Sequence, residues 1–68
     1  MRYAVVIEKA NGNYSAYVPD LPGCVAMGET VEVVEREIRD AIRLHIEGLK
    51  AEGLEVPDAT SIADYVEA

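Results

Sequence analysis

The chain has 68 residues, one cysteine, one histidine and a formal charge of −7 from thirteen acids against six bases. A chain this short builds one domain with a small core; its lone Cys24 excludes an intramolecular disulfide, and Cys24 with His45 cannot fill a four-ligand zinc shell. The missing stabiliser is expected to be association with another chain. Binding to a phosphate backbone needs clustered Lys and Arg, which are absent here, so direct nucleic-acid binding by this chain alone is not expected. No apolar run reaches the length of a membrane span, and Met1 onward does not read as a signal peptide, so the expected location is cytoplasmic. The acids are unevenly spread: Gly53 to Ala68 carries Glu55, Asp58, Asp64 and Glu67 and no base. Such a surface suits a basic partner, and it also suits plain solubility.

Arg2 to Lys9 is a β-branched and aromatic run of strand length. Ala10, Asn11, Gly12 and Asn13 follow, and Asn-Gly between two such runs signals a hairpin, since both residues tolerate the positive φ of a type I′ turn. A two-residue turn there sets Ile7 opposite Ala16 and Val5 opposite Val18. One sheet face then carries Tyr3, Val5, Ile7, Tyr14, Ala16 and Val18, and the other carries Ala4, Val6, Glu8, Ser15 and Tyr17. Val6 and Tyr17 on the second face are a candidate contact surface.

Pro19 to Gly23, PDLPG, cannot continue a central strand, because two prolines remove donors and Gly23 invites a positive φ. It reads as a rigid corner presenting Leu21. Cys24 to Gly28 is a short third strand, with Val25 and Met27 on one side and Cys24 and Ala26 on the other.

Val31 to Glu52 reads as one long amphipathic helix. Val31, Val34, Ile38, Ala41, Ile42 and Leu49 recur at spacings of three and four and make an apolar stripe that must be covered. Thr30 stands at the N-cap, Glu32 places a negative charge in the first turn, and Gly53 offers the left-handed stop. After LEVPDATS, Ile62 to Glu67 is expected to be a fourth strand, with a short helix capped by Ser61 as the competing reading. The order strand, strand, strand, helix, strand predicts an α+β two-layer sandwich: a three- to four-stranded, mainly antiparallel sheet with the helix on one face.

Three groups could carry chemistry. His45 lies within the helix stripe, where a partly buried histidine bonded to a backbone carbonyl is favoured over a base or ligand. Pairing it with Cys24 as a nucleophile would make a small hydrolase, but no orienting third group or oxyanion hole accompanies the two. Asp20, Glu29 and Asp64 share no metal-ligand spacing and read as surface acids. No catalytic residue, metal or cofactor is expected. A phosphate-binding glycine loop and a nucleophile elbow are both absent. Val33 and Leu44 lie off the main stripe, as a second contact or as scattered surface residues.

With these residues in view, the chain resembles the HicB antitoxin family, the antidote half of the HicA and HicB toxin-antitoxin pair. The resemblance runs from Tyr3 to about Pro57. It is carried by the YAVVIEK strand, by NYSAYVPDLPGC, by Ala26, Gly28 and Thr30, and by AIRLHIEGLKAEG. It implies a partly reduced RNase H-like fold of order βββαβ. The partner it implies is HicA, a small basic RNA-cleaving toxin with a catalytic histidine, which the antitoxin masks sterically and electrostatically without being an enzyme itself. An RNase H enzyme holds metal with a carboxylate on its first strand; here that strand is apolar at Val5, Val6 and Ile7, so inherited nuclease activity is not expected. VEVVEREI departs from the E-E-A and N-I pattern of many members, which bears on toxin specificity and leaves the helical period intact. Many members add a C-terminal DNA-binding segment; this chain is expected to be a single domain over residues 1–68 without one. The candidate partner-binding residues are Val6, Tyr17, Asp20, Leu21, Pro22 and Met27, and the mixed second sheet face with the small core predicts a homodimer or higher oligomer. An orphan self-associating module without a toxin is the alternative.

Overall fold

The computed structural model describes all of residues 1–68. Three antiparallel strands, β1 (Val6–Ala10), β2 (Asn13–Tyr17) and β3 (Val25–Gly28), form one sheet in the order β1-β2-β3. One helix, α1 (Val31–Ala51), lies across it. The Asn-Gly turn sets the register as expected, with Ile7 opposite Ala16 and Val6 opposite Tyr17. The turn type differs from the expected one. Only Gly12 takes a positive φ, at 78°, and Asn11 does not, whereas a type I′ turn needs both.

The PDLPG corner consists of two consecutive turns that share Leu21. Leu21 N–H donates to the Val18 carbonyl at 3.1 Å, and Cys24 N–H donates to the Leu21 carbonyl at 3.0 Å. Gly23 takes the positive φ, 84°, that lets the second turn close. Val18 N–H then reaches the Cys24 carbonyl at 3.2 Å, so the corner hands β2 to β3 without breaking their alignment. This geometry turns Leu21 inward until nothing of it is exposed. The expectation that the corner presents Leu21 is therefore corrected: the side chain is core, and Pro22 is the exposed one.

The helix is bounded as its sequence dictates. Thr30 Oγ1 accepts from Val33 N–H at 3.1 Å, and Glu32 lies in the first turn. At the other end Leu54 N–H bonds to the Leu49 carbonyl at 2.9 Å and Gly53 N–H to the Lys50 carbonyl at 3.1 Å, with Gly53 at φ 73°. Those two bonds define a Schellman stop. Gly28 sits where β3 meets the start of α1. A Cβ there would lie 2.8 Å from Val33 Cγ1 and 2.9 Å from the Val34 nitrogen, so the close approach of strand and helix requires glycine.

Ala16, Val18, Leu21 and Cys24 from the sheet side meet Val34 and Ile38 of the helix to make the buried core. Tyr3, Val5, Ile7, Tyr14, Ala26, Ala41 and Ile42 pack around it, so the inner face is the one the alternation predicts. The helix packs chiefly on β3 and then on β2, leaving β1 at the margin. Leu44 stays 69% exposed, which settles it as a surface residue, while Val33 covers Gly28.

The fourth strand is not formed. Ile62 to Glu67 carries no regular structure, neither strand nor capped helix, so the order is βββα and not βββαβ. The segment has strand-like composition, but none of its backbone groups pairs with a neighbouring strand. A strand exists only where its ladder is satisfied.

Truncating Leu21 removes the innermost core side chain. Leu21→Ala is expected to lower stability by about 2–5 kcal/mol, and Pro22→Ala by less than about 1 kcal/mol, in urea titrations. Similar small losses for both would contradict the inward placement of Leu21.

Candidate functional site

The outer face of the sheet, opposite the helix, is built by register. Val6, Tyr17 and Val25 lie directly across from one another on β1, β2 and β3, and Glu8, Ser15 and Met27 form the next row. Side chains so paired stand about 4.5–5.5 Å apart, close enough to act as one surface. Tyr17 is 42% exposed, and Val25 and Met27 are each 64% exposed, although all three belong to strands. Nothing in the chain covers them. Val6, Tyr17 and Met27, three of the residues expected at a contact surface, are thus brought together. Val25 completes the patch; the two-residue alternation that selected Met27 selects it equally.

Asp20 does something the sequence did not suggest. Its carboxylate accepts four hydrogen bonds from the C-terminal segment: from the N–H groups of Thr60 (3.0 Å) and Ser61 (2.9 Å) and from their hydroxyls (3.2 and 2.7 Å). Beside it the Tyr3 hydroxyl donates to the Pro57 carbonyl at 2.6 Å. Together these bonds moor residues 57 to 61 to the corner and to the approach of β1. The Ser61 N–H and hydroxyl, seconded by Thr60, hold the Asp20 carboxyl below the usual carboxylate range. Partial burial, with the charges of Asp58 and Asp20, pushes the Tyr3 phenol up, so it remains the donor. No local pattern announces a contact between residues forty apart in sequence.

Cys24 is a free, buried thiol in the core, and its desolvation raises its pKa, the opposite of what a nucleophile needs. His45 is partly buried and takes part in none of the side-chain hydrogen bonds, so the reading that gave it a backbone carbonyl is corrected. No three acidic, histidine or cysteine side chains converge as metal ligands would, and Asp20 is engaged with Thr60 and Ser61. No helix is long and apolar enough to cross a membrane.

Comparison with known proteins places this geometry. Residues 3–68 match the family model described as "HicB_like antitoxin of bacterial toxin-antitoxin system". The chain belongs to the HicB-like antitoxin family. A solved structure described as "HicA3 and HicB3 toxin-antitoxin complex" superimposes with a TM-score of 0.73 at 31% identity, covering 91% of this chain and 70% of that one. Among curated relatives, an uncharacterized 14.9 kDa protein of Haemophilus phage HP1 is 38% identical over 66 residues. The alignment covers 97% of this chain but spans only 50% of the phage protein's length. The UPF0150 protein Ta0767 of Thermoplasma acidophilum is 41% identical over 58 residues, 84% of each chain. A UPF0150 protein of Synechocystis is 45% identical over 56 residues, 81% of this chain and 71% of that protein.

The mooring by Asp20 has a defined pH response. A carboxylate whose folded pKa is lowered contributes stability that is present above its unfolded value and lost as pH falls through the lowered one. Amide signals of Thr60 and Ser61 are therefore expected to hold through the ordinary carboxylate range and shift only below it. Asp20→Asn should expose both amides to fast hydrogen exchange at neutral pH; unchanged exchange in that variant would contradict the mooring.

Proposed function

We propose that the chain is an antitoxin that binds a HicA-type RNA-cleaving toxin and covers its working surface, with no chemistry of its own. The observation that carries this reading is the exposure of Tyr17, Val25 and Met27 on the outer sheet face, with half-buried Val6 in the same row, in a chain of the HicB-like family. The neighbouring HicA3 and HicB3 complex supports a toxin as the partner class. Exposed aromatic and methionine side chains on a flat strand surface are of the kind that anchor interfaces. Pro22 stands exposed on the corner between β2 and β3 and extends the candidate patch.

Charge supports the same reading. An acidic chain meeting a basic RNA-binding surface gains encounter rate and blocks phosphate access in one step. Occlusion also fits the chemistry of the side chains, since Cys24 is sequestered in the core and no three acidic, histidine or cysteine side chains converge. We further read the three strands and helix as a reduced RNase H-like layout.

The test mixes the chain with a HicA-type toxin and follows RNA cleavage and complex formation. The native chain is expected to bind and inhibit. Val25→Glu combined with Met27→Glu, both at exposed positions, is expected to weaken binding by at least about tenfold without unfolding the domain. Failure of the native chain to bind or inhibit would remove the antitoxin reading. Inhibition undiminished in the double variant would move the interface elsewhere.

A further inference from the structure

By register the outer sheet face carries Val6, Glu8 and Ala10 from β1, Asn13, Ser15 and Tyr17 from β2, and Val25 and Met27 from β3. Glu8 is the only charged residue among them and the only acid in any of the three strands. The remaining acids lie in the corner, along the helix and in the segments at its two ends. Glu8 is exposed; it directly opposes Ser15, and Ser15 directly opposes Met27. Tyr17 stands one pair further along, which makes it the diagonal neighbour of Glu8, about 7–8 Å away and within reach of one long side chain laid across both.

Nothing in the chain answers either polar group. The one salt bridge joins Arg43 to Asp40 on the helix, and neither the Glu8 carboxylate nor the Tyr17 hydroxyl takes part in any side-chain hydrogen bond. In the free chain water solvates Glu8. Once a partner closes over the face that water is lost, and a carboxylate left among Tyr17, Val25 and Met27 without a counter-charge destabilises the complex. A partner that fits must bring a cation to that point. The ring of Tyr17 selects which kind: a guanidinium is planar, bonds a carboxylate through two N–H groups and lies flat on an aromatic face, whereas an ammonium is a compact, strongly hydrated point charge.

We propose that Glu8 receives one arginine of the toxin, whose guanidinium lies along the Tyr17 ring, and that this pair decides which basic proteins the outer face accepts. The proposal rests on the antitoxin reading and adds to it the residue that sets partner choice. The formal charge of −7 favours basic partners in general, but Glu8 requires one basic side chain at one place. A toxin with an apolar or acidic residue there leaves Glu8 buried and unpaired, and is refused.

The dissociation constant of the complex with a HicA-type toxin, measured for four variants at two salt concentrations, tests this. Glu8→Gln is expected to weaken binding by at least about tenfold and to flatten its salt dependence. Glu47→Gln, which removes the same charge from an exposed position on the helix, should change binding by less than about twofold. Tyr17→Phe, which keeps the ring, should bind nearly as the native chain does; Tyr17→Leu should bind more weakly, and its loss combined with that of Glu8→Gln should fall short of the product of the two, because one guanidinium serves both. Neither Glu8→Gln nor Glu47→Gln should move the urea midpoint of the free chain, which separates a lost contact from a damaged fold. A single Arg→Glu change in the toxin should restore binding to a Glu8→Arg chain. Native binding with Glu8→Gln no weaker than Glu47→Gln, independent losses at Glu8 and Tyr17, or no restoring toxin change would overturn the proposal and leave the antitoxin reading standing; no binding by the native chain would overturn both.

Discussion

One helix has one apolar stripe, and in this protein that stripe is the only cover the sheet receives. Val34 and Ile38 close over Ala16, Val18, Leu21 and Cys24, and the fold exists because that contact is made. A single stripe cannot reach the other face of the sheet or extend fully to β1. The outer row of half-buried Val6 with exposed Tyr17 and Val25, and the groove along Val5 and Ile7, are therefore consequences of the same constraint. A larger domain would bury both. In a chain of this family they are what remains available for other molecules.

The junctions around the helix show how tightly the layer is specified. Gly28 lets strand and helix approach to within a distance that any Cβ would obstruct, and Thr30 caps the helix in the same turn of chain. The PDLPG corner spends its two prolines and one left-handed glycine on placing Leu21 beneath Val34 and Ile38, while Asp20, one residue earlier, faces the opposite way and moors the C-terminal segment. One five-residue corner thus fixes the core and the tail root together. Its acid works through hydrogen bonds from two N–H groups and two hydroxyls, not through an ion pair.

Periodicity carried most of the fold. The two-residue alternation in β1 and β2, anchored by Asn11 and Gly12, placed Ile7 against Ala16 and sorted the two faces, and the three-and-four spacing from Val31 onward located the helix with both of its caps. Patterns of that kind are local, which is why they are legible. The inward direction of Leu21 is not legible in the sequence, because a residue between prolines in a turn has no period to read and only the two consecutive turns decide which way it points. Ile62 to Glu67 has the composition of a strand, yet strand formation depends on a free edge being brought alongside, which composition does not encode. The contacts of Asp20 with Thr60 and Ser61 depend on the whole intervening helix and so left no trace in the neighbouring residues. Of the candidate contact residues, Val6, Tyr17 and Met27 came from alternation and share one face, whereas Asp20 and Leu21 came from the corner and are occupied within the chain.

We propose that the outer sheet face is where a HicA-type toxin is held. The most direct test of this is a methyl and amide NMR titration of the chain with that toxin. The methyl signals of Val6, Val25 and Met27 and the amide of Tyr17 are expected to shift or broaden first and saturate together, with Leu21 and Ile38 undisturbed. Saturating toxin that leaves Val25 and Met27 unchanged while perturbing the helix surface around Leu44 would contradict it.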